Sequence, residues 1–451
     1  MTTRAAQGEG APQAKRRGAG RGAPATKNDQ IALQKGLAAT RHVLDNGTVI
    51  LSKEAHTVPA VTIQVGVKAG SIYDSNTLIG LSHLVSRVLD RGTQQKTTEQ
   101  IAEAFDERGV SLTVGANRHV MTVSCTCLSE DFEAMLDLVG EIVMEPAFSD
   151  REIETRKGEV LNAIRQDEDN PAATAMQALF TMLYPDQHPY GRPSKGTVES
   201  VGRIQRKDLV AFHDARFAPS VTAAVIVGDV DRHRAVAAAE RVFGSWRKPT
   251  VGDITLTHPP TDRSRQERVI SMMNKAQADI AYGFTTIVRS DPTYYAYTLM
   301  NNALGQYGIG GRLGDSIRER QGMAYYVFSS FDANVVEGPL VVRAGVSPAN
   351  VDRAIASIDE EMRRLATDGM TAEELADCKQ YLIGSIPRLL ETNGAIATFL
   401  QTAEFFGLGL DHDLRLPSLL DAVTIEDVNA AARRTLDVNA ASLVVAGPYQ
   451  R

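Results

Sequence analysis

The sequence predicts an α+β fold of two duplicated domains, each of which is a mostly antiparallel sheet packed by helices. The first observation is an internal repeat, because residues 204–228 match residues 423–447 at an offset of 219 residues. The second is that the same offset places the apolar strand at residues 61–65 on residues 280–284 without a gap. Agreement at two distant places indicates a duplicated unit of about 200 residues.

Apolar periodicity and capping signals place the elements along both halves of the chain. Asn46-Gly47 lies between two apolar runs and indicates a β-hairpin over residues 43–51. Further strands are predicted at residues 61–67, 221–227 and 442–446, with two more inside residues 111–128. Helices are predicted at residues 80–92, 98–108, 149–169, 172–183, 205–217, 231–243 and 349–367, and after Thr371 and Thr424.

The composition excludes several classes of protein. The chain has 451 residues and a net charge of −7, which gives no reason to expect a nucleic-acid partner. Its apolar runs are too short to predict a membrane span. Its three cysteines cannot build a disulfide framework. Cys125 and Cys127 alternate with apolar residues on a predicted strand, which favours core packing; a C-x-C metal clamp is the weaker alternative.

Residues 1–36 differ in composition from the rest of the chain. They are rich in Ala, Gly and Pro, with more basic than acidic residues, and we expect a disordered basic tail. The segment lacks the hydrophobic region of a secretory signal, so we expect a cytoplasmic protein; mitochondrial import is the less favoured alternative. After the tail we expect an N-terminal domain at residues 37–250 and a homologous C-terminal domain at residues 258–451.

The segment at residues 80–93, GLSHLVSRVLDRGT, carries the first candidate site. His83 and Arg87 are four residues apart and therefore share one face of the predicted helix. An inverted zinc-peptidase motif, H-x-x-E-H, has two metal-binding histidines at this spacing and a glutamate general base between them. Here Ser86 stands at the position of the base and Arg87 at that of the second histidine. Considered alone, His83 is more often a structural histidine than a zinc ligand.

The frame around His83 resembles the zinc-helix segment of the pitrilysin/insulinase family of zinc metallopeptidases. The residues that match the family pattern besides the histidine are Gly80, Leu89, Gly92 and Thr93. The resemblance implies that the scaffold of the metal site is present.

The same resemblance indicates where the third zinc ligand would stand. In the family it is a glutamate in a helix that is followed by Glu-Asp-Asn-Pro, which here is residues 168–171. The alignment places Ala163 at the ligand position, 76 residues after Arg87. The resemblance therefore implies a degenerate metal site at His83, Ser86, Arg87 and Ala163, and no metal or other cofactor bound by this chain.

The second half contains a glycine-rich segment. Its glycines include Gly305, Gly308, Gly310 and Gly311. No Gly-Lys-Ser/Thr follows and no strand precedes it, so a phosphate-binding loop is poorly supported. A flexible loop that approaches a peptide backbone closely fits better, and we expect Gly308, Gly310 and Gly311 to bind substrate.

After this loop the chain resembles the family segment that supplies an arginine and a tyrosine to the substrate. Arg318 and Tyr325 match both residue types and their spacing of seven residues. The resemblance implies that they contact the substrate and the transition state from a different subunit than the one that binds zinc, since a guanidinium and a phenol can stabilise an oxyanion. The alternative is that Arg318 pairs with Glu319 or another nearby acid and that Tyr325 only begins a strand.

The resemblance covers residues 40–448 and implies a non-catalytic subunit of a heterodimeric zinc metalloendopeptidase. In the short, two-domain members of the family, such as the mitochondrial processing peptidase and bacterial heterodimeric relatives, two chains form a clam-shell around a chamber. Each chain forms one of the two shells. This chain would be inactive alone, and its partner would be an active homologous subunit with an intact H-x-x-E-H motif and the zinc ion. The substrate would be a peptide.

Two alternatives remain open at the level of sequence. The first is a structural core subunit of a larger assembly, as in the respiratory cytochrome bc complex. The second is a homodimer that binds peptides without cutting them.

Overall fold

The structure, a computed structural model, describes residues 36–260, 264–306 and 310–450. All of the expected basic tail except Gly36 lies outside these residues, as does Gly308. In chain order the described strands are β1 (Thr40–Val43), β2 (Val49–Glu54), β3 (Ala60–Val67), β4 (Leu112–Ala116), β5 (Met121–Leu128), β6 (Thr222–Gly228), β7 (Gln266–Ser271), β8 (Ala278–Thr285), β9 (Ala324–Phe331), β10 (Pro339–Val346) and β11 (Ser442–Gly447).

Helices alternate with these strands in both halves. In chain order the described helices are α1 (Leu81–Val88), α2 (Thr98–Asp106), α3 (Phe132–Met144), α4 (Asp150–Glu168), α5 (Pro171–Leu183), α6 (Val198–Arg203), α7 (Arg206–Arg216), α8 (Arg232–Phe243), α9 (Tyr294–Asn301), α10 (Val351–Thr367), α11 (Ala372–Leu389), α12 (Asn393–Phe405), α13 (His412–Asp421) and α14 (Ile425–Thr435). Two π-helical segments, Asn302–Gln306 and Gly314–Arg320, lie between α9 and β9. None of the helices in the described ranges is both long enough and apolar enough to cross a bilayer.

Within the described residues the strands form two sheets of similar design. The first has six strands in the order β1-β2-β6-β3-β5-β4, and the second has five in the order β7-β11-β8-β10-β9. Each is antiparallel except at one position, where β2 runs parallel to β6 and β7 runs parallel to β11. The predicted α+β class and its duplication are therefore confirmed, as is the hairpin at Asn46-Gly47, where Gly47 has a φ of +96°.

Strand pairing corrects one detail of the repeat. Thr62 pairs with Val227, and Asp279 pairs with Ala446, which is the repeat partner of Val227. Thr62 is therefore equivalent to Asp279 at an offset of 217 residues, and the ungapped match of residues 61–65 to residues 280–284 was wrong by two residues. A slip of two residues keeps every side chain on the same face of a strand, so the apolar pattern could not reveal it.

Each sheet packs one face against helices of its own half. The first core lies between the first sheet and α1, α3, α7 and α8, with Ile63, Leu84 and Phe212 among its side chains. The second lies between the second sheet and α9, α10 and α14, with Tyr282 and Ile358 among its side chains. Cys125 and Cys127 are buried in the first core, which confirms their predicted core packing.

The other face of each sheet is covered by a helix from the opposite half. Helix α5 packs on β8 and β11, where Leu179 is fully buried. Helix α12 packs on β3 and β6, where Leu400 is buried. The two halves are thus joined by an exchange of helices, while the domain limits at residues 37–250 and 258–451 stay a prediction.

Glycines allow these two exchanged helices to come close to the sheets. A Cβ atom on Gly66 of β3 would lie 2.7 Å from the Gln401 side chain of α12, and one on Gly283 of β8 would lie 3.0 Å from the Leu179 side chain of α5. Gln401 also anchors α12 by polar contacts, because it accepts a hydrogen bond from Gln64 at 2.6 Å and donates one to Thr122 at 3.1 Å. Leu179 fills the corresponding position with apolar contact alone.

The exchange predicts a stability effect at Leu179. Leu179→Ala removes a fully buried side chain between α5 and the second sheet. We expect the free energy of unfolding to fall by about 2–5 kcal/mol, measured by urea denaturation. Leu389→Ala, at a position 51% exposed, is the control and should change it by less than about 0.5 kcal/mol. Equal effects of the two variants would contradict the packing role of α5.

Candidate functional site

The first candidate site begins where helix α1 starts. Gly80 precedes α1 with a φ of +92°, a conformation that glycine adopts without strain. The buried carboxylate of Asp74 accepts hydrogen bonds from the backbone N–H groups of Gly80 at 2.8 Å and Ser82 at 2.9 Å. These two bonds satisfy donors that the first turn of a helix leaves free. Burial raises the pKa of Asp74 to about 6.

His83 and Ser86 lie on the next turn of α1. The Ser86 side chain is buried, and its Oγ donates to the backbone carbonyl of His83 at 2.7 Å. Burial first, and then the cations Arg87 and Lys195, lower the pKa of His83 to about 4. The imidazole is therefore neutral at pH 7. Ser86, at the position of the family's general base, is bound to its own helix and has no group that could accept a proton from water.

Arg87 connects α1 to α4. Its guanidinium lies 3.5 Å from the carboxylate of Glu159, which also pairs with Arg156 at 2.6 Å. Ala163 follows Glu159 by one helical turn, so it lies on the side of α4 that faces α1. The structure thus brings the predicted degenerate positions to one pair of helices.

The side chains at this helix pair do not fit a zinc ion. They offer one imidazole, a hydroxyl engaged with the backbone, a guanidinium and a methyl group, whereas catalytic zinc takes three protein ligands. In the part of the chain that the structure describes, no group of three or more His, Cys, Asp or Glu side chains is arranged to hold a metal ion. A guanidinium beside the imidazole also adds positive charge where a cation would have to bind.

Arg318 and Tyr325 lie on a second structural unit of the other half. Arg318 belongs to the π-helical segment Gly314–Arg320, and Tyr325 is the second residue of β9, at the edge of the second sheet. Gly322 turns the chain between them with a φ of +61°. Met323 is buried beside this turn and donates its backbone N–H to the carbonyl of Ile317 at 3.1 Å.

Both candidate side chains are open to the outside of the chain. Tyr325 is 68% exposed, far more than a tyrosine that only begins a core strand requires. The Arg318 side chain is 46% exposed and lies 3.8 Å from Glu319. Such a long, exposed pair contributes little and leaves the guanidinium available. Whether the two side chains contact substrate stays a prediction.

The glycine-rich loop is packed tightly where the structure describes it. A Cβ atom on Gly305 would lie 2.8 Å from the backbone nitrogen of Ser329, and one on Gly311 would lie 2.9 Å from the Cα of Gly305. Gly310 is at the rim of a small cavity beside Asn302. The substrate-binding role expected for Gly308, Gly310 and Gly311 stays a prediction, and Gly308 lies outside the described residues.

Sequence reasoning missed the arginine that fixes this loop. Arg312 makes two hydrogen bonds to Glu374 at 2.7 and 2.8 Å and a third to the carbonyl of Gly369 at 2.8 Å. These contacts tie the segment between the loop and Arg318 to the start of α11. The capping pattern Thr371-x-x-Glu374 marked the helix but gave no sign that the same carboxylate also holds an arginine.

Comparison with known proteins finds matches along most of the chain. Residues 49–196 match the family model described as insulinase (peptidase family M16), and residues 203–382 match the one described as the peptidase M16 inactive domain. The chain is 29% identical over 414 residues to an uncharacterized zinc protease of Mycobacterium leprae, covering 91% of this chain and 92% of that protein. It is 25% identical over 395 residues to an uncharacterized zinc protease of Bacillus subtilis, covering 87% of this chain and 95% of that protein.

Solved structures with a similar fold also match most of the chain. A peptidase M16 inactive domain from Pseudomonas fluorescens superposes with a TM-score of 0.86 at 27% identity, covering 92% of this chain and all (100%) of that one. A protease from Helicobacter pylori superposes with a TM-score of 0.84 at 16% identity, covering 91% of this chain and 99% of that one, and therefore supports the fold alone.

The surroundings of His83 predict its titration. Because its folded pKa of about 4 lies below the ordinary value of 6.5, the unfolded chain binds this proton first, and His83 lowers stability as the pH falls from 6.5 toward 4. We expect the imidazole resonance to titrate near pH 4 in an NMR titration. Arg87→Gln should raise that midpoint because it removes a cation, while Arg433→Gln on α14 should leave it unchanged. A midpoint near 6.5 in the unmodified chain would contradict the environment described.

The alignment of α1 and α4 predicts a restored metal site. The triple variant Ser86→Glu, Arg87→His, Ala163→Glu supplies the missing base and ligands beside His83. We expect it to bind about one zinc per chain, since three protein ligands suffice. The double variant without Ala163→Glu, with two ligands, should bind zinc far more weakly. Metal analysis after gel filtration measures both, and stoichiometric zinc in the double variant would contradict the position assigned to Ala163.

Proposed function

Because the chain belongs to the pitrilysin/insulinase family (peptidase family M16), we propose that it is the non-catalytic subunit of a heterodimeric zinc metalloendopeptidase. The observation that carries the proposal is a contrast between its two candidate sites. The α1–α4 pair lacks a donor set for zinc, while Arg318 and Tyr325 are present and exposed. An exposed arginine and tyrosine of this kind have a catalytic use only if another chain brings the metal.

The proposed partner is an active homologous subunit with an intact H-x-x-E-H motif. Zinc bound there would supply the activated water that attacks a peptide carbonyl. The relatives from Mycobacterium leprae and Bacillus subtilis are named as uncharacterized zinc proteases, which supports a proteolytic setting. The Pseudomonas fluorescens structure is named as a peptidase M16 inactive domain, which supports a non-catalytic role for a chain of this kind. The substrate we propose is a peptide enclosed between the two subunits.

This chain would act on the peptide through three of its own features. The Tyr325 hydroxyl would donate a hydrogen bond to the oxygen that becomes negatively charged when the carbonyl is attacked. The Arg318 guanidinium would bind the adjacent substrate carbonyl, or it would stabilise the same negatively charged oxygen. The glycine-rich loop at Gly310 and Gly311 would lie against the substrate backbone, because glycines leave space for close approach. Arg312 and Glu374 would position this unit without touching substrate.

The alternative functions make less use of these residues. A scaffold subunit of a larger assembly, or a homodimer that only holds peptides, needs neither an oxyanion donor nor an exposed guanidinium. The exposure of Tyr325 and Arg318 therefore favours the peptidase complex.

The role of Tyr325 is tested in the assembled complex. Tyr325→Phe removes one hydroxyl and leaves the ring, so we expect kcat to fall about ten- to a thousandfold, as for loss of an oxyanion donor. We expect a much smaller change in KM, because the hydrogen bond forms mainly in the transition state. The measurement is steady-state cleavage of a quenched fluorescent peptide by this chain together with its zinc-binding homologue.

The matched control is Tyr295→Phe. Tyr295 lies on α9, where its ring contacts that of Tyr294 with 5.2 Å between the ring centres. The control should retain full turnover. Unchanged kcat in Tyr325→Phe would contradict the proposed role, and an equal loss in both variants would point to general damage by tyrosine replacement.

A further inference from the structure

A cavity of about 490 Å³ lies between the two halves, beside the α1–α4 pair. Its walls come from the end of α4, from α5 and from the turn at residues 192–197, all in the first half. Arg268 and Ile270 of β7 close it from the second half. Its volume falls in the range of about 300–1,000 Å³ that is typical of ligand sites. Because α5 packs on the second sheet, the cavity lies where the two halves meet.

The cavity adjoins the degenerate centre. Lys195 and Asp167 both line it, and both act electrostatically on His83. Lys195 and Asp167 form an ion pair at 2.6 Å and neutralise each other. The remaining charged side chains of the lining are three arginines, Arg118, Arg192 and Arg268, and one acid, Glu168. The lining thus keeps an excess of positive charge.

Two of these arginines are held without a carboxylate partner. The Arg118 guanidinium lies 4.4 Å from the ring centre of Phe180 and 5.4 Å from that of Tyr190, and it donates to the Tyr190 carbonyl at 3.3 Å. Arg268 is paired with β11 through the backbone of β7, while its side chain is exposed and has no hydrogen bond or ion pair to another described residue. Stacking fixes the plane of Arg118, whose charge also acts on the carboxylate of Asp332, a residue outside the cavity lining.

Arg192 adds a buried donor to the same wall. Its terminal nitrogen donates to the Asp74 carbonyl and the Asn76 side chain, each at 2.9 Å. Its Nε is buried and has no hydrogen-bond partner within the described ranges. A buried N–H without an acceptor is costly, and an anion or a water held by it would remove that cost.

The uncharged part of the wall is mixed, with an apolar portion beside the polar side chains of Thr174, Gln177 and Thr181. The large apolar side chains of the lining are Ile164, Met176, Phe180 and Ile270. A guanidinium pairs well with a carboxylate, while apolar walls favour a ligand with an apolar body. Glu168 disfavours a ligand with several negative charges, so a phosphate dianion fits less well than a carboxylate monoanion.

We propose that this cavity binds a carboxylate attached to an apolar body, with Arg118 and Arg268 as its charged partners and Phe180 as part of its apolar wall. The two sources of such a group are the C-terminal end of a peptide with apolar last residues and a free apolar carboxylic acid. The site goes beyond the proposed peptidase function. Every residue that forms it belongs to this chain, so binding requires neither zinc nor a partner subunit.

The test is calorimetric titration of the isolated full-length chain with three probes. They are an N-acetylated pentapeptide ending in Leu-Phe with a free carboxylate, the same peptide as its C-terminal amide, and octanoate. We expect the carboxylate peptide or octanoate to bind, and the amide to bind at least about tenfold more weakly, since a charge-assisted pair is lost. Tighter binding of the peptide identifies a peptide terminus as the source, and tighter binding of octanoate identifies a free acid.

Variants locate the site. Arg268→Met changes an exposed side chain and should lower affinity about ten- to a hundredfold. Arg118→Met should act in the same direction. Arg433→Met, an exposed arginine on α14 outside the cavity, makes the same change in net charge and should leave affinity unchanged. Absence of binding, equal binding of acid and amide, or unaltered affinity in Arg268→Met would overturn the proposal. None of these results depends on a peptidase complex, so they are distinguishable from failure of the proposed function.

Discussion

The reciprocal packing of α5 and α12 is the interaction on which the rest of the structure depends. Each helix covers a sheet face that would otherwise expose apolar side chains, and each belongs to the opposite half. Gly66 and Gly283 stand at equivalent strand positions and let both helices approach closely. Because α5 directly follows α4, its docking also fixes the end of α4 beside α1. The same packing places the cavity between the halves, so the fold and the proposed carboxylate site share one origin.

This architecture explains how the α1–α4 pair keeps its structure without a set of metal ligands. Helix α1 is fixed at its start by Asp74 and along its length by apolar packing, and neither contact needs a metal ion. Arg87 and Glu159 link α1 to α4 at the place where the family has ligands, with a single exposed ion pair. Such a pair contributes little energy, so the stability of the helix pair comes from packing. A subunit that acts on a metal held by its partner must keep its fold without binding zinc itself, and these contacts allow this.

Much of the fold could be predicted from the sequence, because caps and alternation are local signals. Helices α2, α4, α5, α7, α8, α10, α11 and α14 begin near their predicted starts. Helix α12 was missed because its packing face mixes Ile396 and Leu400 with Thr398 and Gln401, which blurs the apolar period. The error of two residues in aligning β8 with β3 could not be detected, because a shift of two residues preserves the apolar alternation along a strand. At the site, the residue types at positions 83, 86, 87 and 163 can be read from the sequence, and they predict a degenerate metal site. The ion pair of Arg312 and the grouping of Arg118 with Arg268 arise only from tertiary packing, so the sequence could not reveal them.

In the function we propose, Arg318 and Tyr325 serve a zinc ion held by another chain. Affinity purification of this chain from its native source, with sequencing of the co-eluting protein and zinc quantified per complex, tests it most directly. We expect a homologous partner with an intact H-x-x-E-H motif and one zinc per heterodimer. A metal-free homodimer that elutes without such a partner would contradict it.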